Sequence, residues 1–274
     1  MRSFEWKSID GCMLAGFHEE PGCEVKAVMC LVHGLGEHAG RYQDVTGVLT
    51  GAGIALFSLD LRGHGLSDGR RGHAAPRSRI LADIDALIRQ ARETHPGLPI
   101  WLYGHSLGGN IVLSHRLFGK EPVAGNVATS PWLVLANPLP PAQVAVMRLL
   151  GKIAPGLTIK NGLDPNGLST LLPVVIDYRN DPLVHPFVSV QTGLDAMDMA
   201  KIILDRASES HGPVLLLHGG ADPICSVEGS RRFAENAGPQ CAYREWPGMR
   251  HELHHEAIWP EEAQVIVDFV LAKR

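Results

Sequence analysis

The chain has no surplus of basic residues: 25 Lys and Arg stand against 29 Asp and Glu, a formal net charge of −4. A nucleic-acid partner is thereby excluded, because no basic excess offsets the phosphates. No block of like charges reads as a solvated tail. No apolar run approaches the roughly 18–20 residues of a membrane helix. The opening Met1-Arg2-Ser3-Phe4-Glu5-Trp6-Lys7 lacks the apolar core of a signal peptide. Cysteine is sparse: Cys12, Cys23, Cys30, Cys225 and Cys241 are odd in number and form no CxxC pair. Free thiols in a reducing compartment fit better than a disulfide framework, and a cytoplasmic location is the expectation.

What is present is enough for one large α/β domain with an insertion: 274 residues, 45% hydrophobic and 20% charged. Residues 3–18 alternate around Asp10-Gly11 and read as two strands and a tight turn. Short apolar runs at Val25–Val32, Ile54–Leu59, Ile100–Tyr103 and Val123–Thr129 then alternate with helical patterns at Tyr42–Thr50, residues 80–94 and Ile111–Phe118. Such alternation predicts a mostly parallel sheet flanked by helices, with ligands at the carboxyl ends of its strands. Regularity stops at Pro131 and resumes at Pro213-Val214-Leu215-Leu216-Leu217. The expected organisation is a core of residues 1–130 and 213–274, with 131–212 inserted as a cap before the strand that leads to Asp222.

Gly104-His105-Ser106-Leu107-Gly108 is a G-x-S-x-G pattern between a predicted strand and a predicted helix. In that setting the serine sits on a sharp bend, and the helix aims its first amides at any negative charge formed there. His33-Gly34-Leu35-Gly36-Glu37 follows the Val25–Val32 strand. Acyl transfer needs two backbone N–H donors for the developing oxyanion, and Leu107 and Leu35 are the candidates. His33 reads as a loop anchor, and His38, His64 and His73 as loop hydrogen-bonders.

An acid and a base should follow the serine in that order. The run Val214–Leu217 leads through His218-Gly219-Gly220-Ala221 to Asp222, and Ala242–Trp246 leads through Pro247-Gly248-Met249-Arg250 to His251. His251 would take the hydroxyl proton and Asp222 would fix its tautomer. His254 and His255 are rivals for the base. The same stretch, His251-Glu252-Leu253-His254-His255, also matches the zinc-protease pattern H-E-x-x-H, a competing reading that needs a continuous helix and a third ligand such as Glu261 or Glu262. It leaves Ser106 unexplained.

His33-Gly34-Leu35-Gly36-Glu37-His38, the segment Asp60-Leu61-Arg62-Gly63-His64-Gly65-Leu66-Ser67-Asp68-Gly69, and Gly104–Gly109 together resemble the monoacylglycerol lipase and lysophospholipase branch of the α/β-hydrolases. Gly220–Pro223, Gly248–His251 and Asn180-Asp181-Pro182-Leu183 are similar to that family's acid, base and cap segments. The resemblance implies the α/β-hydrolase fold, no cofactor or metal, and a single-chain lipid ester as substrate, monoacylglycerol first and lysophospholipid or a simple carboxylic ester as alternatives. It makes Asp60–Gly69 a structural turn beside the site. Ile224-Cys225 departs from the polar continuation expected after Pro223, and a thiol there would confer sensitivity to thiol reagents.

Pro131-Trp132-Leu133-Val134-Leu135 and the stripe Val144, Ala145, Met147, Leu149, Leu150, Ile153 are too apolar to lie exposed without purpose. Three roles are open to them: an acyl tunnel, transient contact with a membrane surface, or plain core packing. His105, Trp132, Leu133 and Met147 are the candidate substrate-contacting residues, and medium or long acyl esters should be preferred over acetyl esters. A serine aminopeptidase and a ligand receptor on an inactive scaffold are the competing functions. The sequence is silent on oligomeric state.

Overall fold

The computed structural model describes residues 2–74, 76–209 and 211–272. In chain order its elements are β1 (Arg2–Lys7), β2 (Met13–Glu19), β3 (Ala27–Val32), α1 (Gln43–Gly51), β4 (Ile54–Leu59), α2 (Arg77–Thr94), β5 (Ile100–His105), α3 (Leu107–Phe118) and β6 (Gly125–Thr129). Then come α4 (Pro141–Ile153), β7 (Thr158–Lys160), α5 (Leu172–Asn180), β8 (Phe187–Ser189), α6 (Val190–Asp205), β9 (Val214–Gly219), α7 (Val227–Ala237), β10 (Cys241–Trp246) and α8 (Trp259–Ala272).

Eight strands form one sheet in the order β1-β2-β4-β3-β5-β6-β9-β10, and β7 pairs with β8 apart from it. The β1–β2 and β2–β4 pairings are antiparallel and the other five are parallel. The expected mostly parallel sheet with flanking helices is therefore present. Its inner strands are buried on both faces, which is why they read as unbroken apolar runs. In β3 the two-residue period sends Val28, Cys30 and Val32 to one face and Ala27, Met29 and Leu31 to the other.

On the first face lie α2, α3, α6 and α7. The stripe Ile80, Ile84, Leu87, Ile88 and Ala91 turns α2 onto the sheet. Fully burying each large aliphatic of that stripe is worth about 1.5–3 kcal/mol. The second face is covered by α1, through Val45 and Leu49, and by α8, through Ile266, Val267 and Val270. Helix α2 begins at Arg77 rather than 80, because the extended Pro76 serves as its N-cap. Helix α8 begins at Trp259, after a separate 3-10 turn at residues 253–255.

Between β6 and β9 the chain leaves the sheet through α4, β7, α5 and β8, and α6 brings it back. Ala196, Ile203 and Leu204 of α6 join the same buried cluster as Val28 and Leu102, so α6 is part of the helical layer on the sheet. The stretch that stands off the sheet therefore ends near Ser189, earlier than the expected 212, because a stripe that packs on the sheet and one that packs within a cap look alike in sequence. No helix of the described residues is long and apolar enough to cross a membrane.

Candidate active site

Ser106 stands where β5 ends and α3 begins, with φ 53° and ψ −114°. For a non-glycine residue that is a strained backbone, of the kind held only when the surroundings over-determine it. Two glycines permit the bend. A Cβ on Gly104 would fall 2.2 Å from the Gly108 carbonyl oxygen, and one on Gly108 would fall 2.0 Å from that of Val32. The turn is held from outside as well: Ser106 N–H donates to Thr129 O at 3.0 Å, and the Ser106 carbonyl accepts from Trp132 N–H at 2.9 Å.

Asp222 lies in the turn after β9, buried, and its Oδ2 meets Nδ1 of the buried His251 at 2.7 Å. Its Oδ1 accepts from the backbone N–H groups of Ile224 and Cys225, at 2.8 and 3.1 Å. A second imidazole, His218, reaches Oδ2 through Nε2 at 3.1 Å, and its Nδ1 faces Ser230 Oγ at 2.7 Å. Burial alone would raise the Asp222 pKa, but the charge of His251 and the hydrogen bonds of both imidazoles hold it well below the usual carboxylate range. Burial likewise pushes His251 down, yet the charge and hydrogen bond of Asp222, with Glu252 and Glu37 further off, leave its pKa raised.

The loop after β3 runs beside Ser106. Gly34 comes so close that a Cβ there would lie 3.3 Å from the Ser106 Cβ. His33 is the anchor the sequence suggested: its Nε2 accepts from Leu61 N–H at 2.9 Å and its Nδ1 faces Gly34 O at 2.7 Å. Burial lowers its pKa to about 4, so it stays neutral. Glu37 Oε1 takes hydrogen bonds from Gly34 N–H at 2.6 Å and Tyr42 O–H at 2.7 Å. Arg41 bridges Glu37 and Glu252, which pins this loop to the one carrying His251.

Ser106, His251, Leu35, His105, Trp132 and Met147 all line one cavity of about 940 Å³. Further apolar walls come from Leu135, Leu168, Val188 and Met197. Leu133 does not belong there: of the expected substrate contacts it alone turns into the core, 4% exposed, against the face that carries α3 and α7. Trp132 packs against the same cluster but also reaches the cavity, which Leu133 does not. His105 lies against His251, ring centroids 4.7 Å apart, and burial followed by the charge of His251 drives its pKa far down. Cys225 also lines the cavity beside the Ser106 side chain, but burial raises its thiol pKa well above the ordinary value.

Neither rival base lines the cavity that holds Ser106. His254 stacks on Tyr42 at 4.4 Å, and His255 bonds Glu252 Oε2 at 2.7 Å and the Arg41 carbonyl at 2.8 Å. The zinc-protease reading fails on backbone geometry. Glu252 has φ −94° and ψ 81° and precedes a three-residue 3-10 turn, so residues 251 and 255 do not share the face of one α-helix. His218 and the Arg41–Glu252 bridge were missed in the sequence. The only available signals were a histidine four residues before the acid and an arginine four residues after Glu37.

The residues just before α5 are stitched to the His251 loop. Glu252 N–H donates to Leu168 O at 2.8 Å, and Arg250 Nη1 donates to Asn166 O at 2.6 Å and Ser169 O at 3.0 Å. Glu256, fully buried, accepts from Thr170 N–H at 2.9 Å and Arg250 N–H at 2.8 Å.

Residues 23–258 match the sequence profile of the Hydrolase_4 family, described as serine aminopeptidase S33. A monoacylglycerol lipase of Mycolicibacterium smegmatis is 33% identical over 90% of this chain and 88% of its own. Human monoglyceride lipase is 31% identical over 90% of this chain and 82% of its own. The crystal structure of Paleococcus ferrophilus monoacylglycerol lipase superposes with a TM-score of 0.86 at 35% identity, covering 94% of this chain and 99% of that one. A soluble variant of Saccharomyces cerevisiae monoglyceride lipase shares the fold, with a TM-score of 0.88 at 22% identity. With these likenesses spanning nearly its whole length, the chain belongs to the serine aminopeptidase S33 family of α/β-hydrolases, among the monoacylglycerol lipases.

Proposed function

We propose that this chain hydrolyses monoacylglycerols to glycerol and a fatty acid through an acyl-enzyme on Ser106. The observation that carries the reading is the 2.7 Å contact between His251 and the buried Asp222, in a largely apolar cavity that also holds Ser106 on its strained bend. Ser106 Oγ attacks the ester carbonyl while His251 Nε2 takes its proton, and Asp222 stabilises the imidazolium. Backbone N–H groups of Leu35 and Leu107 receive the oxyanion. The intermediate collapses, the glycerol oxygen leaves with the proton from His251, and the acyl group stays on Ser106. Water, deprotonated by His251, then releases the fatty acid and restores the serine.

The cavity volume and the Trp132, Leu135 and Met147 walls suit an acyl chain rather than an acetyl group. Residues 131–189 act as the lid over this chain. Its helix α4 turns Met147 inward and leaves Val146, Leu149 and Ile153 outside, at 56, 61 and 76% exposure. Such a face supports transient docking on a lipid surface, from which the substrate is drawn. An aminopeptidase would need a free carboxylate for the substrate amine. Glu37 and Glu252, the buried acids at the cavity, are instead taken up by Arg41, Gly34 N–H, Tyr42 and His255, which leaves the exposed Asp164 as the remaining carboxylate of the lining.

The deciding assay compares wild type with Ser106→Ala on monoacylglycerols, lysophospholipids, p-nitrophenyl esters of increasing length and aminoacyl anilides. Monoacylglycerol turnover that is lost in the variant and blocked by a fluorophosphonate supports the proposal. An optimum at acetyl esters, or turnover of anilides alone, refutes it.

A further inference from the structure

A second convergence of titratable side chains lies outside the cavity. His18 sits near the end of β2, Glu20 just beyond it, and His95 at the C-cap of α2. The chain passes from His95 into the amino end of β5, whose other end carries Ser106, so this group lies at the opposite edge of the sheet layer from the cavity. None of the three lines that cavity.

Nε2 of His18 is 2.7 Å from Glu20 Oε1, and Nε2 of His95 is 3.0 Å from the same oxygen. Only the first contact is aligned as a hydrogen bond. Nε2 of His95 is shielded from solvent and has no hydrogen-bond partner, although it stands against a carboxylate. A ring nitrogen shielded from water and this close to a carboxylate, without an aligned bond to it, is satisfied either by a proton of its own or by a bound cation. Phe57 holds both rings in place: His18 stacks on it at 4.3 Å, and His95 meets it edge-on at 6.0 Å. Phe57 is itself 1% exposed and is the cross-strand partner of His18 in β4, so the two imidazoles are preorganised by the core.

We propose that His18, Glu20 and His95 form a binding site for a first-row transition-metal dication, best suited to Zn²⁺, that clamps the end of β2 to the end of α2. Two imidazoles and one carboxylate are a zinc donor set with one position left for water, whereas Mg²⁺ and Ca²⁺ prefer oxygen alone. Donors around a tetrahedral zinc lie about 3.3 Å apart, given metal–ligand distances of roughly 2.0–2.1 Å. The Glu20 carboxylate must therefore move outward by a few tenths of an ångström, which its 37% exposure permits. Glu252, His254 and His255 also gather within ligand reach of one another, but there the guanidinium of Arg41 already supplies the positive charge.

The test uses the full chain freed of metal with a chelator, compared with His95→Asn and Glu20→Gln. Zn²⁺ at about a hundredfold excess over Kd should raise the wild-type Tm by roughly 5 °C, and the gain should vanish in both variants. Co²⁺ should give the wild type visible absorption bands that the variants lack. Hydrolysis of a soluble ester should be the same in all three proteins, which separates this site from the cavity chemistry. Should His95→Asn fail to fold, Glu20→Gln and the cobalt spectrum still decide. A wild type without zinc shift and cobalt bands, or a shift of equal size in the variants, overturns the site and leaves the cluster as two imidazoles sharing a carboxylate.

Discussion

The guanidinium of Arg41 grips Glu252 through two parallel hydrogen bonds, of 2.6 and 2.7 Å, and Glu252 directly follows His251. The same guanidinium reaches Glu37 at 2.8 Å, and Glu37 holds Gly34 N–H beside Ser106. One buried cation thus ties the loop of the proposed oxyanion donor to the loop of the proposed base. Replacing Arg41 by Met strands two carboxylates away from water. The expected cost is about 3–5 kcal/mol in denaturant unfolding, with kcat falling more than KM rises. Unchanged stability would show that the two loops hold their places without the bridge.

A pH profile of kcat/KM reads the His251–Asp222 pair. His251 must be neutral to accept the serine proton. Because Asp222 outweighs burial and raises its pKa, the acidic limb should have its midpoint above 6.5. Asp222→Asn removes that support. The limb should then move below 6.5 and kcat should drop by about 10⁴. For stability the signs run oppositely. The depressed Asp222 stabilises above its unfolded value of about 3.9, and that is lost as pH falls through the folded value. The raised His251 stabilises below about 6.5, and that is lost as pH rises through its folded value. The pair therefore contributes most between these limits.

Glu262 of α8 is fully buried, and neither carboxylate oxygen has a hydrogen-bond partner. Burial raises its pKa to about 8, so it is protonated at neutral pH. A raised carboxyl favours the fold at low pH and loses that advantage as pH rises toward 8. Glu262→Gln should raise Tm more at pH 8.5 than at pH 5, by roughly 5 °C. Equal shifts at both pH values would mean that Glu262 does not ionise in the fold.

The outer face of α4 makes a separable prediction. Leu149→Ser with Ile153→Ser should lower turnover of monoacylglycerol presented in vesicles several-fold, and binding to those vesicles with it. Hydrolysis of a dissolved short ester should stay at the wild-type rate, since Met147 and the cavity are untouched. Equal losses on both substrates would place the effect inside the protein.

The site was legible where it is local. The Ser106 bend needs glycines at 104 and 108, and that requirement is written as a pentapeptide. Asp222 and His251 each follow a strand at short range, so strand ends located them. Burial on both faces made β3, β4, β5 and β9 readable as apolar runs. Features made by distant partners were hidden: Arg41 and Glu252 are 211 residues apart in the chain. Nothing before folding marks Leu133 as core and Trp132 as cavity wall. The layer occupied by α6 is likewise fixed by what it packs on rather than by its own pattern.

The bonds from residues 166–170 to the His251 loop divide the cavity roof into a fixed part and a free part. The segment leading into α5 is fastened to Arg250, Glu252 and Glu256, so lifting it would drag the proposed base out of line with Ser106. Helix α4 has no such tether to the histidine loop among the described hydrogen bonds; its Arg148 pairs instead with Asp198 of α6. On the proposed function, displacing α4 would admit a substrate while the proposed base keeps its place beside Ser106, and the proposed docking face for lipid would itself be the doorway.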